Sequence, residues 1–532
     1  MKLFAELLDI LSTTQARSAK INILTDYFHS TADEDRGWAL AALTDGLPLR
    51  FNFRRILTEL IGERSDAHLF KLSREFVGDT AETIALLWNS LNKNQIGNLS
   101  PPGMSSVIRS LLNSPSAHYP ELIASILDVC SVRERWAFLK LIGGAPRVGL
   151  SARLAKTAVA NLGRKDVSEI EEIWHALKPP YVELFAWVEG RGERPDPGDV
   201  PVFRPLMLSM AIEESDWTDM SPSDFAAEWK WDGIRTQISV SHGEARLYSR
   251  TGDDISHAFP EICSSFSSVE GVADGELLVV REGIVASFND LQQRLNRKNV
   301  TLRLLKEYPA FIRLYDILMV SGEDVRVLPY RERRERLSKW YSQAPLPLSD
   351  ISPLLSFSTF TELESLWQNT RQAGIEGLML KRWTSPYLAG RVKGHWYKWK
   401  RAPLTLDCVL MYAQRGSGKR SSLYSDLTFG VWKSEINSRE KNLVPVGKAY
   451  SGFTDMELRA LDKFIRANTL ETYGPVRAVE PKLVLEIAFD SLQRSSRHKS
   501  GVAMRFPRVH RIRWDKPADE ADTLETTMAL IK

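Results

Sequence analysis

Residues 189–201 read Glu-Gly-Arg-Gly-Glu-Arg-Pro-Asp-Pro-Gly-Asp-Val-Pro, and no other stretch of the 532-residue chain limits its fold so strongly. Three prolines and three glycines among charges deny the backbone a continuous helix or ladder, which is linker chemistry. The two sides must then build separate cores, and their textures differ. Upstream, apolar residues recur at helical spacing: Leu3, Phe4, Leu7, Leu8 and Leu11, then Ile21, Leu24 and Phe28, then Trp38, Leu40 and Leu43. This predicts a helical region from residue 1 to about residue 185. Downstream come short strand-like runs, ARLYSR, GELLVV, AFIRLYDIL and GLMLKR. A second shift falls near residue 402, after which LDCVLMYA, LTFGVWK and KLVLEIAF alternate with Gly/Ser/Lys loops, as a small β-barrel requires.

Composition narrows the setting. With 43% hydrophobic and 26% charged residues, the chain can fill several cores without disulfides or metal. Cys130, Cys263 and Cys408 are scattered singly, too few for a four-cysteine zinc site, and point to a reducing compartment with each thiol a small buried hydrophobe. No membrane span is expected, because no stretch of about 18 uncharged apolar residues occurs. Glu6 and Asp9 interrupt what would be a signal peptide's apolar core, so a cytoplasmic protein is expected. The net charge of +3 neither requires nor excludes nucleic acid, since binding depends on charge distribution.

The chemistry centres on Glu228-Trp-Lys230-Trp-Asp232-Gly233-Ile-Arg235. Alone, a K-x-D-G string arises by chance in about one chain in ten of this length. A lysine between two tryptophans also serves ordinarily as a surface residue whose stem covers the rings. An ordered series downstream changes the weight: Ser249-Arg250-Thr251-Gly252, Asp274-Gly275-Glu276, Leu314-Tyr315-Asp316, Glu376-Gly377-Leu-Met-Leu-Lys381, Trp396-Tyr-Lys398-Trp-Lys400, and finally Arg505 to Lys516 with Arg513-Trp-Asp515-Lys516 at its end. Each places a charged residue beside a strand-like run. The series, in this order, resembles the nucleotidyltransferase motifs of the ATP-dependent DNA ligases, and the resemblance extends over the whole chain. Phe4, Lys20, Leu24, Tyr27-Phe28 and Trp38, with Lys140-Leu-Ile-Gly143-Gly144-Ala-Pro-Arg147-Val-Gly149-Leu-Ser151, are similar to the helical DNA-binding domain of the larger, bacterial members.

The resemblance implies a multidomain protein: an all-α DNA-binding domain over 1–188, an α+β nucleotidyltransferase domain over 202–402 and an OB-fold β-barrel over 403–532. It implies a ligase that seals nicks in duplex DNA through a lysyl-AMP on Lys230 and then a DNA-adenylate. ATP would contact Glu228, Arg235, Arg250, Glu276, Tyr315, Arg391, Lys398, Lys400 and Arg513. Glu276 and Glu376 would hold Mg²⁺, with Mn²⁺ an alternative. Arg147, Gly149 and Ser151 would meet DNA, and the protein would be a monomer. Tyr315 stands where most members carry phenylalanine, a change that keeps the π-face for stacking on adenine.

Elementary chemistry agrees with these roles. An amine attacks phosphorus only when unprotonated, and neighbouring cations with desolvation favour that form. The same cations would spread the charge of a phosphoryl transition state. Paired carboxylates suit Mg²⁺, which keeps most of its waters. An acceptor at Glu228 favours adenine over guanine, which presents a carbonyl there. An mRNA-capping or RNA-ligating enzyme shares the lysine chemistry, but Glu228 and the helical N-terminal region disfavour it. An NAD-dependent ligase would need zinc-binding cysteines. A catalytically idle DNA-binding protein would be expected to have lost Lys230 or the glutamates. Arg415-Gly-Ser-Gly-Lys419-Arg420 looks like a phosphate loop, yet Ala413 stands where a Walker loop needs glycine.

Overall fold

The computed structural model describes residues 1–49, 53–77, 79–88, 101–144, 146–295, 297, 299–369, 374–400, 403–416, 423–434, 441–496 and 498–531. Most of the Arg415–Arg420 loop, Ala145 and Arg497 lie outside these residues. The chain forms two compact units, Met1–Lys400 and Arg401–Lys532. Among the described residues, no helix is long and apolar enough to cross a membrane.

The first unit begins with helices, among them α1 (Lys2–Thr13), α2 (Arg17–Ser30), α3 (Asp33–Leu43), α4 (Val132–Ile142), α5 (Ala152–Leu162), α6 (Val167–Ile173) and α7 (Val182–Val188). Phe4, Leu7, Leu8 and Leu11 of α1 are buried as their spacing predicts, whereas Leu3 remains 54% exposed. At about 100° per residue Leu3 falls at the margin of the apolar stripe, so it faces water. Helix α3 runs through the core, with every residue from Arg36 to Leu43 buried. Asp33, Glu34 and Asp35 in its first turn complement the positive end of the helix. Its buried Arg36 donates to the Glu189 carboxylate at 2.7 Å and also bonds Asp33 and the Phe28 carbonyl. Arg191 donates to the same two carboxylates. The start of the proline-glycine run is thus fastened to α3.

Beyond that run the strand-like segments become β1 (Phe225–Trp231), β2 (Ile234–Ser241), β3 (Glu244–Ser249), β4 (Gly271–Arg281), β5 (Ala310–Val320), β6 (Ile375–Arg382) and β7 (Trp396–Lys400). They build two sheets. One runs Leu354–Leu355, β1, β6, β7, Met210–Ala211; the other runs Ser349–Ile351, β5, β4, β2, β3. The second sheet lies on a core of Ile238, Leu247, Phe259, Phe266, Ile312 and Trp340, the last from helix α8 (Tyr330–Tyr341). The first lies on Phe225, Leu363, Trp367, Leu378 and Tyr397. Asp232-Gly233 carries the chain from β1 in one sheet to β2 in the other, so residues at this turn can meet both.

The second unit is rich in strands. Strand β8 (Leu404–Arg415) pairs with β9 (Tyr424–Ser434) on one side. On its other side it pairs with both β11 (Val476–Val479) and β12 (Val484–Phe489). Strand β10 (Lys441–Ala449) extends β9, and β13 (Arg508–Arg513) extends β12. Helix α9 (Asp455–Ala467) starts at a Thr454–Glu457 capping box and buries Leu458, Leu461 and Ile465. Cys130 and Cys408 are buried and Cys263 is half-buried, all three as free thiols.

Gly37 is where α3 meets the Pro179-Pro180 turn: a Cβ there would stand 1.6 Å from the Pro180 carbonyl oxygen. A backbone atom cannot swing aside as a side chain can. Gly37→Ala should therefore cost about 3 kcal/mol or more, read as a lower urea midpoint with an unchanged slope.

Candidate active site

Lys230 lies near the end of β1, and strand register decides what surrounds it. Across the five-stranded sheet Gly377 of β6 is opposite both Lys230 and Lys400, and Met379 is opposite both Glu228 and Lys398. Because side chains alternate along a strand, Glu228, Lys230, Lys398 and Lys400 share one face. The pairing of β6 with β1 slips between Ile375 and Gly377, so Glu376 is the extra residue of a β-bulge. The bulge turns its carboxylate onto that same face, where it accepts a hydrogen bond from the Lys230 ammonium and lies 3.4 Å from Lys400 Nζ. Gly377 is required beside it, since a Cβ there would come within 2.3 Å of the Trp399 carbonyl oxygen.

Glu276 approaches from the other sheet. It sits on β4 opposite Arg235 of β2. Gly233 makes room for it: a Cβ at that turn would stand 2.4 Å from the Leu277 carbonyl oxygen and 2.8 Å from Glu276 Cγ. Burial pushes the Glu276 carboxyl up to about 8, and Glu376 and Asp232 add to the effect against the opposing Lys230 and Arg235. Glu376 moves the other way, to about 2, because Lys230 and Lys400 outweigh the burial that opposes them. Two carboxylates at one amine thus differ in protonation preference.

The predicted cations gather around Lys398. Its pKa is lowered by burial and then by Arg391, Lys400, Lys230 and Arg250. Arg250 and Arg391 are exposed at the rim. Arg235 differs. It is largely buried, donating to the Met207 carbonyl at 2.6 Å, the Asp274 carboxylate at 2.8 Å and the Tyr387 hydroxyl at 3.1 Å. Its charge is matched by the Asp274 carboxylate.

Glu228 is buried and accepts from the Tyr330 hydroxyl and from Lys381 Nζ at 2.9 Å. The Lys381 ammonium stands 4.3 Å from the centroid of the half-buried Tyr315 ring, 4.7 Å from Trp396 and 5.1 Å from Tyr330. Beneath this layer Asp316 and Arg333, both fully buried, form a bidentate pair at 2.9 Å. Sequence reasoning gave no role to Lys381, Tyr330, Tyr387 or Arg333. Only Lys381 left a trace, as a charged residue in an apolar strand run, two positions beyond Met379 and so on the Glu228 face.

The remaining predicted residues lie elsewhere. Arg147, Gly149 and Ser151 form the loop entering α5, where Arg147 has φ +54° and Gly149 φ +65°. Lys20 donates to the Val148 and Gly149 carbonyls, and Ser151 Oγ caps the helix by accepting from Leu154 N–H. Arg147, a non-glycine residue at positive φ, is exposed in the loop ahead of the α5 N-terminus. Arg513 is in the second unit, where it donates to Asp515 at 2.9 Å and lies 3.6 Å from Asp407 and 3.8 Å from Glu486. Lys516 donates to Asp407 at 2.8 Å.

Two family models match the chain: an ATP dependent DNA ligase domain over residues 206–400 and an ATP dependent DNA ligase C terminal region over residues 420–516. A probable DNA ligase of Koribacter versatilis is 31% identical over 559 residues, covering 99% of this chain and 95% of that protein. DNA ligase 1 of Korarchaeum cryptofilum is 28% identical, covering 99% of this chain and 97% of that one. The solved structure named Pmar-Lig_PreS3 shares the fold, with a TM-score of 0.57 at 15% identity over 96% of this chain and 99% of that chain. The chain belongs to the ATP-dependent DNA ligase family.

Two measurements probe the buried charges. A carboxyl raised from 4.5 to about 8 binds its proton more tightly folded than unfolded. Its share of stability is present below the unfolded value and is lost as pH rises through the folded one. Glu276→Gln removes that titration. In metal-free buffer its unfolding free energy should gain on the parent steadily from about pH 5 to about pH 8, and parallel curves would contradict the buried carboxyl. Lys381→Met should cost about 3–5 kcal/mol by stranding the Glu228 carboxylate. The Glu228→Gln/Lys381→Met pair should recover much of that loss in chemical denaturation.

Proposed function

We propose that the chain seals nicks in duplex DNA, taking AMP from ATP onto Lys230 and passing it to the 5′-phosphate at the nick. In the first step Lys230 Nζ attacks the α-phosphorus. A P–N bond forms, the bond from α-phosphorus to the β-phosphate oxygen breaks, and pyrophosphate leaves. AMP then moves to the 5′-phosphate, and the 3′-hydroxyl displaces it to close the backbone. The observation that carries this reading is the meeting of Lys230 with Glu376, Glu276 and a cationic cluster around Lys398 at the seam of two sheets. Glu376 holds the Lys230 side chain in place, and the cations around it favour loss of the ammonium proton to solvent before attack. Lys398, Lys400, Arg250 and Arg391 face the triphosphate, where their charges match the electrons that flow to pyrophosphate.

Adenine is read at Glu228 and stacked on Tyr315, in a pocket kept dry by Tyr330 and Trp396. Mg²⁺ fits the site, with Mn²⁺ an alternative, because Glu276 and Glu376 offer carboxylate oxygens at one amine and a cation would offset the burial and, after it, the Glu376 charge that raise Glu276. When bound it supplies positive charge to the phosphates; Glu276 and Glu376 would hold it.

The remaining assignments follow the same reading. The 1–188 region grips duplex DNA through phosphate contacts at Arg147, Gly149 and Ser151, favoured by the helix N-terminus. Residues 202–402 carry the nucleotide. Residues 403–532 form an OB-fold whose Arg513 orients pyrophosphate, a reading supported by the two-sided pairing of β8. The protein works as a cytoplasmic monomer.

Incubation with α-labelled ATP or GTP and a denaturing gel tests the first step, and nicked DNA and RNA duplexes test the rest. ATP alone should label the chain, and nicked DNA should be sealed. Lys230→Ala should abolish labelling yet retain sealing of a pre-adenylated nick. Glu376→Ala should slow both reactions roughly 10²–10³-fold with the fold intact. An acid-labile AMP adduct on the Lys230→Ala protein would remove Lys230 from the role. Labelling by GTP would favour a capping enzyme instead.

A further inference from the structure

The loop Ser249-Arg250-Thr251-Gly252 is seated on the helical region. Within itself it is tightly closed. Ser249 N–H donates to the Asp253 carbonyl at 2.9 Å, Gly252 N–H donates to the Ser249 carbonyl at 2.9 Å, and Ser249 Oγ accepts from the N–H groups of Thr251 and Asp253 at 3.2 Å. A loop braced in this way moves as a body, so its position is set at its base. That base is Tyr248, fully buried, whose hydroxyl donates to the Pro201 carbonyl. On its ring lies His175, from the turn that follows α6, with centroids 4.3 Å apart. Phe203 closes the group at 5.9 Å from Tyr248 and 6.4 Å from His175. Its ring also lies 3.1 Å from where a Cβ on Gly252 would stand, and Gly252 has φ +80°.

The junction is held from a second direction. Glu172, three residues before His175, receives Arg326 at 2.8 Å and Arg194 at 3.3 Å, with Arg204 at 3.7 Å. The His175 imidazole is held down to about 4 by burial and by Lys156 beside it, so the stack is a neutral one at physiological pH. Among the described residues its buried Nε2 has no hydrogen-bond partner. What the ring gives the junction is therefore its shape and its stacking on Tyr248.

We propose that His175 is a positioning residue of the nucleotide site: through Tyr248 it sets the loop that presents Arg250 to the triphosphate, so the helical region takes part in the first chemical step as well as in gripping DNA. The proposal rests on the assignment of Arg250 to the triphosphate. It reaches the reaction without DNA, because the helical region and the Arg250 loop share one packed core patch. A shift of the loop base carries the guanidinium with it, and misplacement of about 1 Å suffices to weaken a transition-state contact severely.

The test is single-turnover AMP transfer to the full-length protein without DNA, as a function of ATP concentration. Arg250→Ala comes first and should raise the ATP needed for half-maximal rate. His175→Ala should do the same, roughly tenfold. His175→Phe, which keeps a ring on Tyr248, should restore the parent value. Phe203→Leu, which thins the backing of Gly252 without emptying it, should give a smaller shift in the same direction and serves if His175→Ala folds poorly. In the Arg250→Ala background His175→Ala should add nothing, since both act on one contact. An unchanged ATP dependence in Arg250→Ala overturns the assignment of Arg250 and the inference with it. An impaired Arg250→Ala beside unaffected His175→Ala and Phe203→Leu proteins, or effects that add in full, overturns the inference alone.

Discussion

One residue too many is fitted between Ile375 and Gly377, and the arrangement of the site depends on that bulge. In a regular strand Glu376 would point away from the face that carries Lys230, because neighbours alternate. The bulge brings glutamate and lysine together, and the adjoining glycine lets β7 approach closely enough to place Lys400 in the same row. Glu276 then enters from the opposite sheet through space left by Gly233. The glycines and carboxylates therefore form a single packing solution. Each glycine marks a place where a neighbour's backbone or carboxylate occupies the volume of a side chain.

Behind this face the protein buries an unusual amount of charge, and it does so in matched sets. Asp316 with Arg333, Glu228 with Lys381 and Asp274 with Arg235 each place an acid against a base within 3 Å. Such pairs add little net stability, because the desolvation of both ions offsets their attraction. Their effect is on geometry: a half-pair is so unfavourable that neither partner can turn away. The walls of the pocket are thereby held in register before any ligand arrives. Preorganised dipoles and charges are what phosphoryl transfer demands of a protein, since little covalent chemistry falls to it.

Much of this was legible in residue order. Charged residues at strand borders, read as a series, located Lys230, Glu276, Glu376, Lys398 and Lys400, and the structure brings those side chains or their fields together. The α1 face was legible from its period, except that Leu3 lies at the stripe's edge. What stayed hidden depends on partners far apart in sequence. Arg235 reads as a free cation until Asp274 and Tyr387 fold against it, and Arg333 reads as one more charge in an arginine-rich helix. Lys381 ends a motif without declaring a role, since nothing local says that its strand position is roofed by three aromatic rings. The bulge at Glu376 is likewise a property of pairing, invisible in one strand.

The proline-glycine run shows the same limit from the other direction. Its composition predicts irregular backbone, and the backbone is irregular, with Gly190 and Gly198 at positive φ. Irregular is not the same as loose. Arg191 is bonded to Asp33 and Glu189, Arg194 to Glu172, and the Pro201 carbonyl receives the Tyr248 hydroxyl. The segment that divides two textures of sequence thus helps to join them in space. Its last residues, Pro201 and, just beyond, Phe203, stand where the helical region meets the loop of Arg250, and the rings of Phe203, His175 and Tyr248 fix the two against each other.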